Sequence, residues 1–313
     1  MEYTELGRTG LQISVAGLGC GGHSRLGLAH GRSENEAADV VRCAVDHGVN
    51  LIDTARYYGT EAAVGAAARD RNRASLVLCT KIPIRREGGL IDPDRIRSDL
   101  EESLKQLKTD VVDVLYLHGV AETDYAFAVS ECLPVMEGLR QSGKVRFIGV
   151  TESFSVDQTH AMLTRATRDP CWDVVMVGFN ILNQTARQTI LPQAREGRIG
   201  TTLMFAVRRA LSRPAALRDV VRRLVSQGHD QLAELDPDNP LDFLLRPGGA
   251  ATVTEAAYRF CRHEPGVDCV LFGTGNLDHI PENIASILGP PLPTEDTARL
   301  RELFGSIDSE SGN

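Results

Sequence analysis

One stretch of the chain reads Leu51-Ile52-Asp53-Thr54-Ala55-Arg56-Tyr57-Tyr58-Gly59. It places a carboxylate at the end of a short apolar run and a phenol five residues after that carboxylate. Two further apolar runs end in the same way, one at Lys81 and one at His118. In a barrel of parallel strands the carboxyl ends of all strands face one mouth, so these polar groups are expected to meet there.

Strand-like and helix-like segments alternate along most of the chain. Ser33 and Glu36 form a capping-box pattern before an amphipathic helix that ends near Gly48, and a strand over 49–53 follows. A second capping-box pattern, Ser155-x-x-Gln158, predicts another helix start. Such units give about eight strands separated by helices, which is the number that closes a barrel. We therefore predict an α/β fold, a (β/α)8 TIM barrel, with an open doubly wound sheet as the structural alternative.

The same pattern predicts one barrel domain over residues 1–305. Residues 2–15 are predicted to form an N-terminal β-hairpin that plugs one end of the barrel, and residues 306–313 a flexible tail. A long insertion over 207–250 follows the seventh strand. Two interpretations of it stand side by side, a charged surface insertion or a loop over the barrel mouth that contacts a ligand phosphate. Its first half is rich in arginine, with Arg208, Arg209, Arg213, Arg218, Arg222 and Arg223.

Composition narrows the classes of function. The chain has 313 residues and a formal net charge of −8, which disfavours nucleic acid and acidic membranes as partners. Its seven cysteines include no Cys-x-x-Cys pair, so we expect a reduced, cytoplasmic protein without a metal site. No apolar stretch is long enough to span a bilayer, and residues 1–6 show no secretion signal. A small molecule is the predicted partner.

The polar groups at the strand ends suit proton transfer to a carbonyl oxygen. A tyrosine is a weak acid, with an unperturbed pKa of about 10, and a neighbouring ammonium lowers that pKa. We predict that Lys81 does this for Tyr58, that Asp53 holds Lys81 charged, and that His118 orients the carbonyl. Each residue taken alone has an ordinary structural explanation, as a helix cap, a core aromatic, a rim charge or a core histidine. All of them at successive strand ends favour a catalytic site.

At these residues the chain resembles the aldo-keto reductase superfamily, over nearly its whole length. The resemblance implies a barrel that binds NAD(P)H across its C-terminal mouth, with Tyr58 as proton donor and Asp53, Lys81 and His118 as its catalytic partners. It rests on the motifs Leu6-Gly7-Arg8-Thr9-Gly10-Leu11, Asp53-Thr54-Ala55-x-x-Tyr58-Gly59, Thr80-Lys81, Leu117-His118, Gly143-Lys144-Val145-Arg146-x-Ile148-Gly149-Val150 and Glu282-Asn283.

The resemblance also implies a set of cofactor contacts. They are Gly21, Gly22, Asp53, Thr151, Glu152, Met176, Phe179, Phe205, Ala206, Val207, Arg208, Gly273, Thr274, Gly275, Asn276, His279 and Asn283. Thr151 and Glu152 stand where relatives have Ser-Asn, Met176 stands where they have glutamine, and Phe179 is the expected nicotinamide-stacking aromatic. Gly275 replaces an arginine or lysine of NADP-preferring relatives, which favours NAD(H), whereas the family as a whole favours NADP(H).

These observations predict an NAD(P)H-dependent oxidoreductase that reduces an aldehyde or ketone to the alcohol, with NADP(H) placed ahead of NAD(H). Two alternatives remain, an NAD-dependent sugar or alcohol dehydrogenase that works oxidatively, and a non-enzymatic cofactor-binding regulatory subunit. The substrate is not predicted. Its pocket is expected to include His23, Tyr57, residues 121–125 and the arginine-rich insertion.

Overall fold

A computed structural model describes all residues from 1 to 313. Its strands are β1 (Tyr3–Glu5), β2 (Gln12–Ser14), β3 (Ala16–Gly19), β4 (Leu51–Asp53), β5 (Val77–Pro83), β6 (Arg85–Arg86), β7 (Gly89–Leu90), β8 (Val112–Val120), β9 (Val145–Glu152), β10 (Val174–Gly178), β11 (Gly200–Met204) and β12 (Cys269–Phe272). Its α-helices are α1 (Glu34–Asp46), α2 (Glu61–Ala68), α3 (Arg95–Leu107), α4 (Tyr125–Phe127), α5 (Leu133–Gln141), α6 (Ala161–Ala166), α7 (Ile190–Glu196), α8 (Arg209–Ser212), α9 (Pro214–Ser226), α10 (Val253–Arg262), α11 (His279–Leu288) and α12 (Thr294–Phe304). None of these helices combines the length and the apolar character needed to cross a membrane.

Eight strands close into a barrel in the order β3-β4-β5-β8-β9-β10-β11-β12, and every neighbouring pair is parallel. The prediction of a (β/α)8 TIM barrel is therefore confirmed. Parallel strands covered on both faces need nearly continuous apolar runs. The strands β4 and β10 show this directly, since every residue in both is buried.

The predicted N-terminal hairpin is present and closes the end of the barrel opposite the mouth. β1 and β2 pair in antiparallel fashion, with Tyr3 opposite Ser14. Leu6, Leu11 and Ile13 of this segment are buried in one apolar cluster with inward-facing residues of the barrel strands. The carboxylate of Asp268 fixes the hairpin, because one of its oxygens accepts from the amide of Gly7 at 3.2 Å and from that of Thr201 at 2.9 Å.

Strand register brings the polar residues of three neighbouring strands to the mouth. Asp53 ends β4 and lies beside Cys79 of β5, while Lys81 of β5 lies beside Tyr116 of β8. The ring of Tyr116 fills the barrel beneath Lys81, with its hydroxyl 3.2 Å from Thr202 Oγ1. Gly149 makes room for this ring, because a Cβ there would lie 2.5 Å from it.

One helix start was predicted correctly and another was not. Ser33 and Glu36 form the expected capping box of α1, with both reciprocal hydrogen bonds present. The pattern Ser155-x-x-Gln158 starts no helix. α6 begins at Ala161, and the carboxylate of Asp157 accepts from the amides of Ala161 at 2.9 Å and Met162 at 3.0 Å. Asp157 thus takes the capping role for two of the free amides in the first turn, and the helix begins further along the chain than the pattern predicted.

The C-terminal residues 306–313 are packed against the barrel, which corrects the prediction of a flexible tail. Glu310 and Ser311 are buried, and their carbonyls accept from the side-chain amides of Asn183 at 3.0 Å and Asn180 at 3.2 Å. Both asparagines are fully buried in the loop after β10. Because a buried amide left without partners is costly, they hold the polar segment in place.

Candidate active site

The structure brings the predicted catalytic residues together at the carboxyl ends of β4, β5 and β8. The hydroxyl of Tyr58 lies 3.3 Å from Nε2 of His118. The ammonium of Lys81 donates to both carboxylate oxygens of Asp53 at 2.6 Å and to the carbonyl of Thr54 at 2.9 Å. It also lies 5.0 Å from the centre of the Tyr58 ring. A phenol, an ammonium and an imidazole therefore surround one point at the barrel mouth.

Local backbone geometry delivers Tyr58 to this point. A 3₁₀ turn over Arg56–Tyr58 follows β4, and Gly59 ends it with a φ of 70°. That left-handed conformation is readily adopted by glycine and strained for most other residues. Gly21, in the loop after β3, lies against the phenol, and a Cβ there would lie 2.6 Å from the ring. Gly59 and Gly21 thus allow the Tyr58 side chain to occupy this position.

Lys81 and Asp53 form a buried ion pair. Both are at least 95% buried, so each charge needs the other. Burial alone lowers the pKa of Lys81. Asp53 and Tyr58 together raise this pKa by more than burial lowers it, so the net shift is upward. Burial raises the pKa of Asp53, and Lys81 opposes that shift. The two short hydrogen bonds to the carboxylate of Asp53 keep the ammonium of Lys81 charged.

Tyr58 and His118 are both held in their neutral forms. Burial raises the pKa of Tyr58 and outweighs the lowering effect of Lys81. This corrects the expectation of a net lowering, because desolvation of the phenolate has a larger effect on the pKa than the nearby ammonium. Burial, aided by Lys81, lowers the pKa of His118 to about 3. Neutral Tyr58 is a proton donor, and neutral His118 offers either a donor or an acceptor to an oxygen beside it.

A cleft of about 1220 Å³ runs from these residues across the mouth to the start of α11. Most of the predicted cofactor contacts line it. These are Gly21, Gly22, Asp53, Thr151, Glu152, Met176, Phe205, Val207, Arg208, Gly273, Thr274, Gly275, Asn276 and His279. Lys81 lies beneath the cleft floor and reaches it only through Asp53 and Tyr58.

Three predicted contacts lie outside the cleft lining. Phe179 is buried in the barrel wall and stacks on Phe260, with ring centres 5.7 Å apart, so it cannot stack on a nicotinamide. Ala206 is fully buried, and only its neighbours in the chain face the cleft. Asn283 lies one turn beyond His279 on α11, past the end of the cleft. The phenylalanines that line the cleft are Phe154, Phe205 and Phe272.

Of the two residues in place of Ser-Asn, Glu152 is engaged within the protein, whereas Thr151 keeps a donor for a ligand. Glu152 is turned into the wall, where its oxygens accept from the amide of Gly178 at 2.7 Å and meet Nδ1 of His160 at 2.8 Å. Burial raises the pKa of Glu152, and His160 opposes the shift. Thr151 accepts from the amide of Gly119 at 2.8 Å, which leaves its own hydroxyl proton to donate.

The loop after β3 contributes residues that the sequence did not single out. Gly275 packs so closely on this loop that a Cβ there would lie 2.6 Å from the amide nitrogen of Gly27. The side chain of Arg32 in turn covers Gly27. Arg32 and His30 both line the cleft beside Gly275. Gly275 is therefore explained by packing, and its missing charge gives no information on cofactor choice.

The loop after β11 supplies further cations to the cleft, and Arg208 is the most buried of them. The guanidinium of Arg208 stacks 3.9 Å above the ring centre of Phe205, and burial lowers its pKa. Its Nη1 is buried without a hydrogen-bond partner. A buried donor that is left unpaired is expected to have a ligand acceptor. This donor fits the pyrophosphate of a dinucleotide.

The 207–250 insertion divides into a part at the cleft and a part on the surface, and its contact with a ligand phosphate stays a prediction. Val207, Arg208, Arg209, Ser212 and Arg213 line the cleft. Further along, Arg222 lies on α9 and faces Asp238 at 3.7 Å, as expected for a charged surface helix. Residues 121–125, proposed as part of a substrate pocket, do not line the cleft.

Comparison with known proteins gives the family. Residues 18–304 match the model of the aldo/keto reductase family. The aldo-keto reductase YhdN of Bacillus subtilis is 29% identical, over 99% of this chain and 96% of its own length. L-galactose dehydrogenase of Arabidopsis thaliana is 26% identical, over 92% and 88% of the two chains. The chain therefore belongs to the aldo/keto reductase family and is an oxidoreductase of that family.

Solved structures agree with this at the level of the fold. The holo form of aldo-keto reductase AKR11C1 from Bacillus halodurans has a TM-score of 0.75 at 23% identity and covers 100% of this chain and 99% of its own. An aldo/keto reductase from Klebsiella pneumoniae, solved in complex with NADP and acetate, has a TM-score of 0.68 at 20% identity, over 97% and 96% of the chains.

Proposed function

We propose that the protein reduces an aldehyde or a ketone to the alcohol with NADPH, and that Tyr58 is the proton donor. The observation that carries this proposal is the meeting of Tyr58 and His118 at 3.3 Å above the Lys81–Asp53 ion pair. A carbonyl oxygen placed between the phenol and the imidazole receives two hydrogen bonds. Proton transfer from such a positioned group contributes about 10²–10⁴-fold to a rate.

The ion pair stabilises the phenolate form of Tyr58. When the phenol gives up its proton, the buried ammonium of Lys81 favours the phenolate that forms. Asp53 keeps that ammonium in place, and the carbonyl of Thr54 accepts a further hydrogen bond from it. His118 is neutral, so it adds no positive charge and serves to orient the carbonyl oxygen.

The residues of the cleft suit a nicotinamide dinucleotide. Such a cofactor, when bound, supplies the hydride for the reduction. Phe205 and Met176 offer apolar surface beside Tyr58, and the Thr151 hydroxyl offers a hydrogen bond. Arg208 would hold the pyrophosphate.

NADPH is preferred over NADH in this proposal because of Arg32 and His30 beside Gly275. A 2′-phosphate bound there meets a guanidinium that forms no ion pair within the protein. Fluorescence titration of the purified protein with both cofactors tests this. Arg32→Gln is expected to raise the Kd for NADPH by about tenfold or more and to leave the Kd for NADH within about twofold. An equal effect on both cofactors would contradict the preference.

A second candidate is a sugar dehydrogenase that works in the oxidative direction with NAD⁺. The relative L-galactose dehydrogenase, matched over 88% of its length, favours it. Initial rates measured in both directions separate the candidates. Aldehyde-dependent oxidation of NADPH supports the reductase, and saturable sugar-dependent reduction of NAD⁺, without the former, supports the dehydrogenase. A non-enzymatic regulatory subunit would show neither reaction.

A further inference from the structure

A second cavity opens beside the proposed catalytic site. It has a volume of about 510 Å³ and shares His118 and Gly119 with the main cleft. A molecule in this cavity can therefore reach the imidazole that faces Tyr58. The other walls come from the 3₁₀ turn before Tyr58 and from the hairpin formed by β6 and β7.

Guanidinium groups dominate these walls. Arg56, Arg85 and Arg86 all line the cavity. Arg85 is held by the buried Asp124, whose oxygens accept from Nε and Nη2 at 2.6 Å. Arg86 is paired with the buried Asp99. The arginines are thus fixed from behind by carboxylates that do not themselves line the cavity.

The anchored arginines keep donors for a ligand. Each guanidinium group has five N–H donors, and these ion pairs use only some of them. Arg56 is the least engaged, since its one ion pair is Nε to Asp99 at 3.8 Å, and Asp99 is already paired with Arg86. Orientation by a buried carboxylate reduces the entropy that an arginine loses on binding an anion.

The charges of the cavity are unbalanced toward the positive. Three arginines face two buried carboxylates, Asp99 and Asp124, which leaves one cation without a partner of its own. Glu87, at the tip of the hairpin, is the one acidic residue in the lining, and it forms no ion pair. Counted with Asp99 and Asp124 it makes the formal charges equal, but it is the only one of these three carboxylates that lines the cavity, which therefore presents three guanidinium groups against one carboxylate.

We propose that this cavity binds the carboxylate of the substrate, so that the preferred substrates are aldehydes or ketones that carry a carboxylate. The inference rests on the proposed function, because it assumes that the reacting carbonyl lies at Tyr58 and His118. A carboxylate matches the planar fork of a guanidinium group and receives two parallel hydrogen bonds from it. Arg56, in the turn that carries Tyr58, is the residue expected to make this contact.

The test compares 4-carboxybenzaldehyde with 4-formylbenzamide, which has nearly the same shape and no charge. We expect kcat/KM to be at least about tenfold higher for the carboxylate, a difference of about 1.4 kcal/mol. Arg56→Gln is expected to remove most of this preference, mainly through KM. Arg86 still neutralises Asp99 in that variant, so the fold should be kept. Glu87→Gln, which removes an opposing charge, is expected to increase the preference.

Arg42→Gln is the matched control. Arg42 is 32% exposed and Arg56 35%, each is paired with one carboxylate, and Arg42 lines neither cavity. Its loss should leave the preference between the two aldehydes unchanged. An equal loss of preference in Arg42→Gln and Arg56→Gln would overturn the inference.

Calorimetric titration with terephthalate, which needs no turnover, separates this inference from the proposed function. In one outcome the wild type binds terephthalate, Arg56→Gln does not, and neither aldehyde is turned over. This outcome supports the anion site and contradicts the reductase. Equal turnover of both aldehydes with no terephthalate binding supports the reductase and overturns the anion site.

Discussion

At the residue scale, the ion pair between Lys81 and Asp53 has a structural role as well as a catalytic one. Lys81→Met should lower the free energy of unfolding by roughly 3–5 kcal/mol, because it leaves the buried carboxylate of Asp53 without a partner. The double variant Asp53→Asn/Lys81→Met should recover much of that stability. It should still lose about 10²–10⁴-fold in kcat.

Chemical denaturation and steady-state kinetics on the single and double variants separate the two roles. A double variant with restored stability and near wild-type kcat would show that the pair only supports the fold. A single variant as stable as the wild type would contradict the buried ion pair itself.

The state of His118 gives a prediction on pH. Its pKa of about 3 in the folded protein lies below the usual 6.5, so the imidazole stays neutral at every pH above about 4. The pH profile of kcat/KM between pH 5 and 9 should therefore show no limb near 6.5 that belongs to His118. A limb at that pH that disappears in His118→Gln would contradict a buried, neutral histidine.

At the element scale, the C-terminal segment Ile307–Asn313 holds the loop that carries Arg208. The carbonyl of Gly312 accepts from the amide of Ala210 at 3.0 Å, and Asn313 contacts Arg208 at 2.6 Å. Glu310 organises the segment, since it accepts from the amides of Ser311 at 2.8 Å and Gly312 at 2.7 Å and pairs with Arg223. This segment therefore links the cleft to α9.

Glu310→Ala should lower the free energy of unfolding by about 1–3 kcal/mol and weaken NADPH binding, because the loop loses its support. Glu302→Ala, an exposed residue of α12 without side-chain hydrogen bonds, is the control. Hydrogen exchange over residues 307–313, together with NADPH titration, checks the prediction. Unchanged exchange and unchanged Kd in Glu310→Ala would show that the segment is not held by this carboxylate.

The same elements show where sequence reasoning stops. Apolar runs that end in Asp53, Lys81 and His118 predict the barrel and the catalytic cluster. Alternating strands and helices can be read from the local sequence, and the carboxyl ends of the strands in such a barrel all face one mouth. Phe179 and Phe205 both follow a buried strand, and only packing decides that Phe205 faces the cleft. The tail has a polar composition typical of disorder, and the buried amides of Asn180 and Asn183 that hold it lie far away in sequence.

At the scale of the whole molecule, Asp268 couples stability to pH. Burial raises its folded-state pKa to about 6, above the value of about 3.9 expected in the unfolded chain. The folded state therefore binds this proton more tightly, and stability falls as the pH rises from about 4 to about 6. Above about pH 6 Asp268 is ionised in both states, and its contribution to stability no longer changes with pH.

Asp268→Asn keeps an oxygen that can accept from the amides of Gly7 and Thr201, and it removes the charge. Relative to the wild type it should gain roughly 1–3 kcal/mol of stability between pH 4 and pH 7. Denaturation midpoints across this range check the prediction. A variant that loses stability as the pH rises, relative to the wild type, would contradict the raised pKa.

The central claim is that Tyr58 gives the proton in a reduction that uses NADPH. The most direct measurement compares the wild type with Tyr58→Phe in aldehyde-dependent NADPH oxidation, with the Kd for NADPH measured on the same preparations. We expect kcat to fall by about 10²–10⁴-fold while NADPH still binds, because the variant loses only the hydroxyl. A Tyr58→Phe variant that binds NADPH and turns over aldehyde at the wild-type rate would contradict the claim.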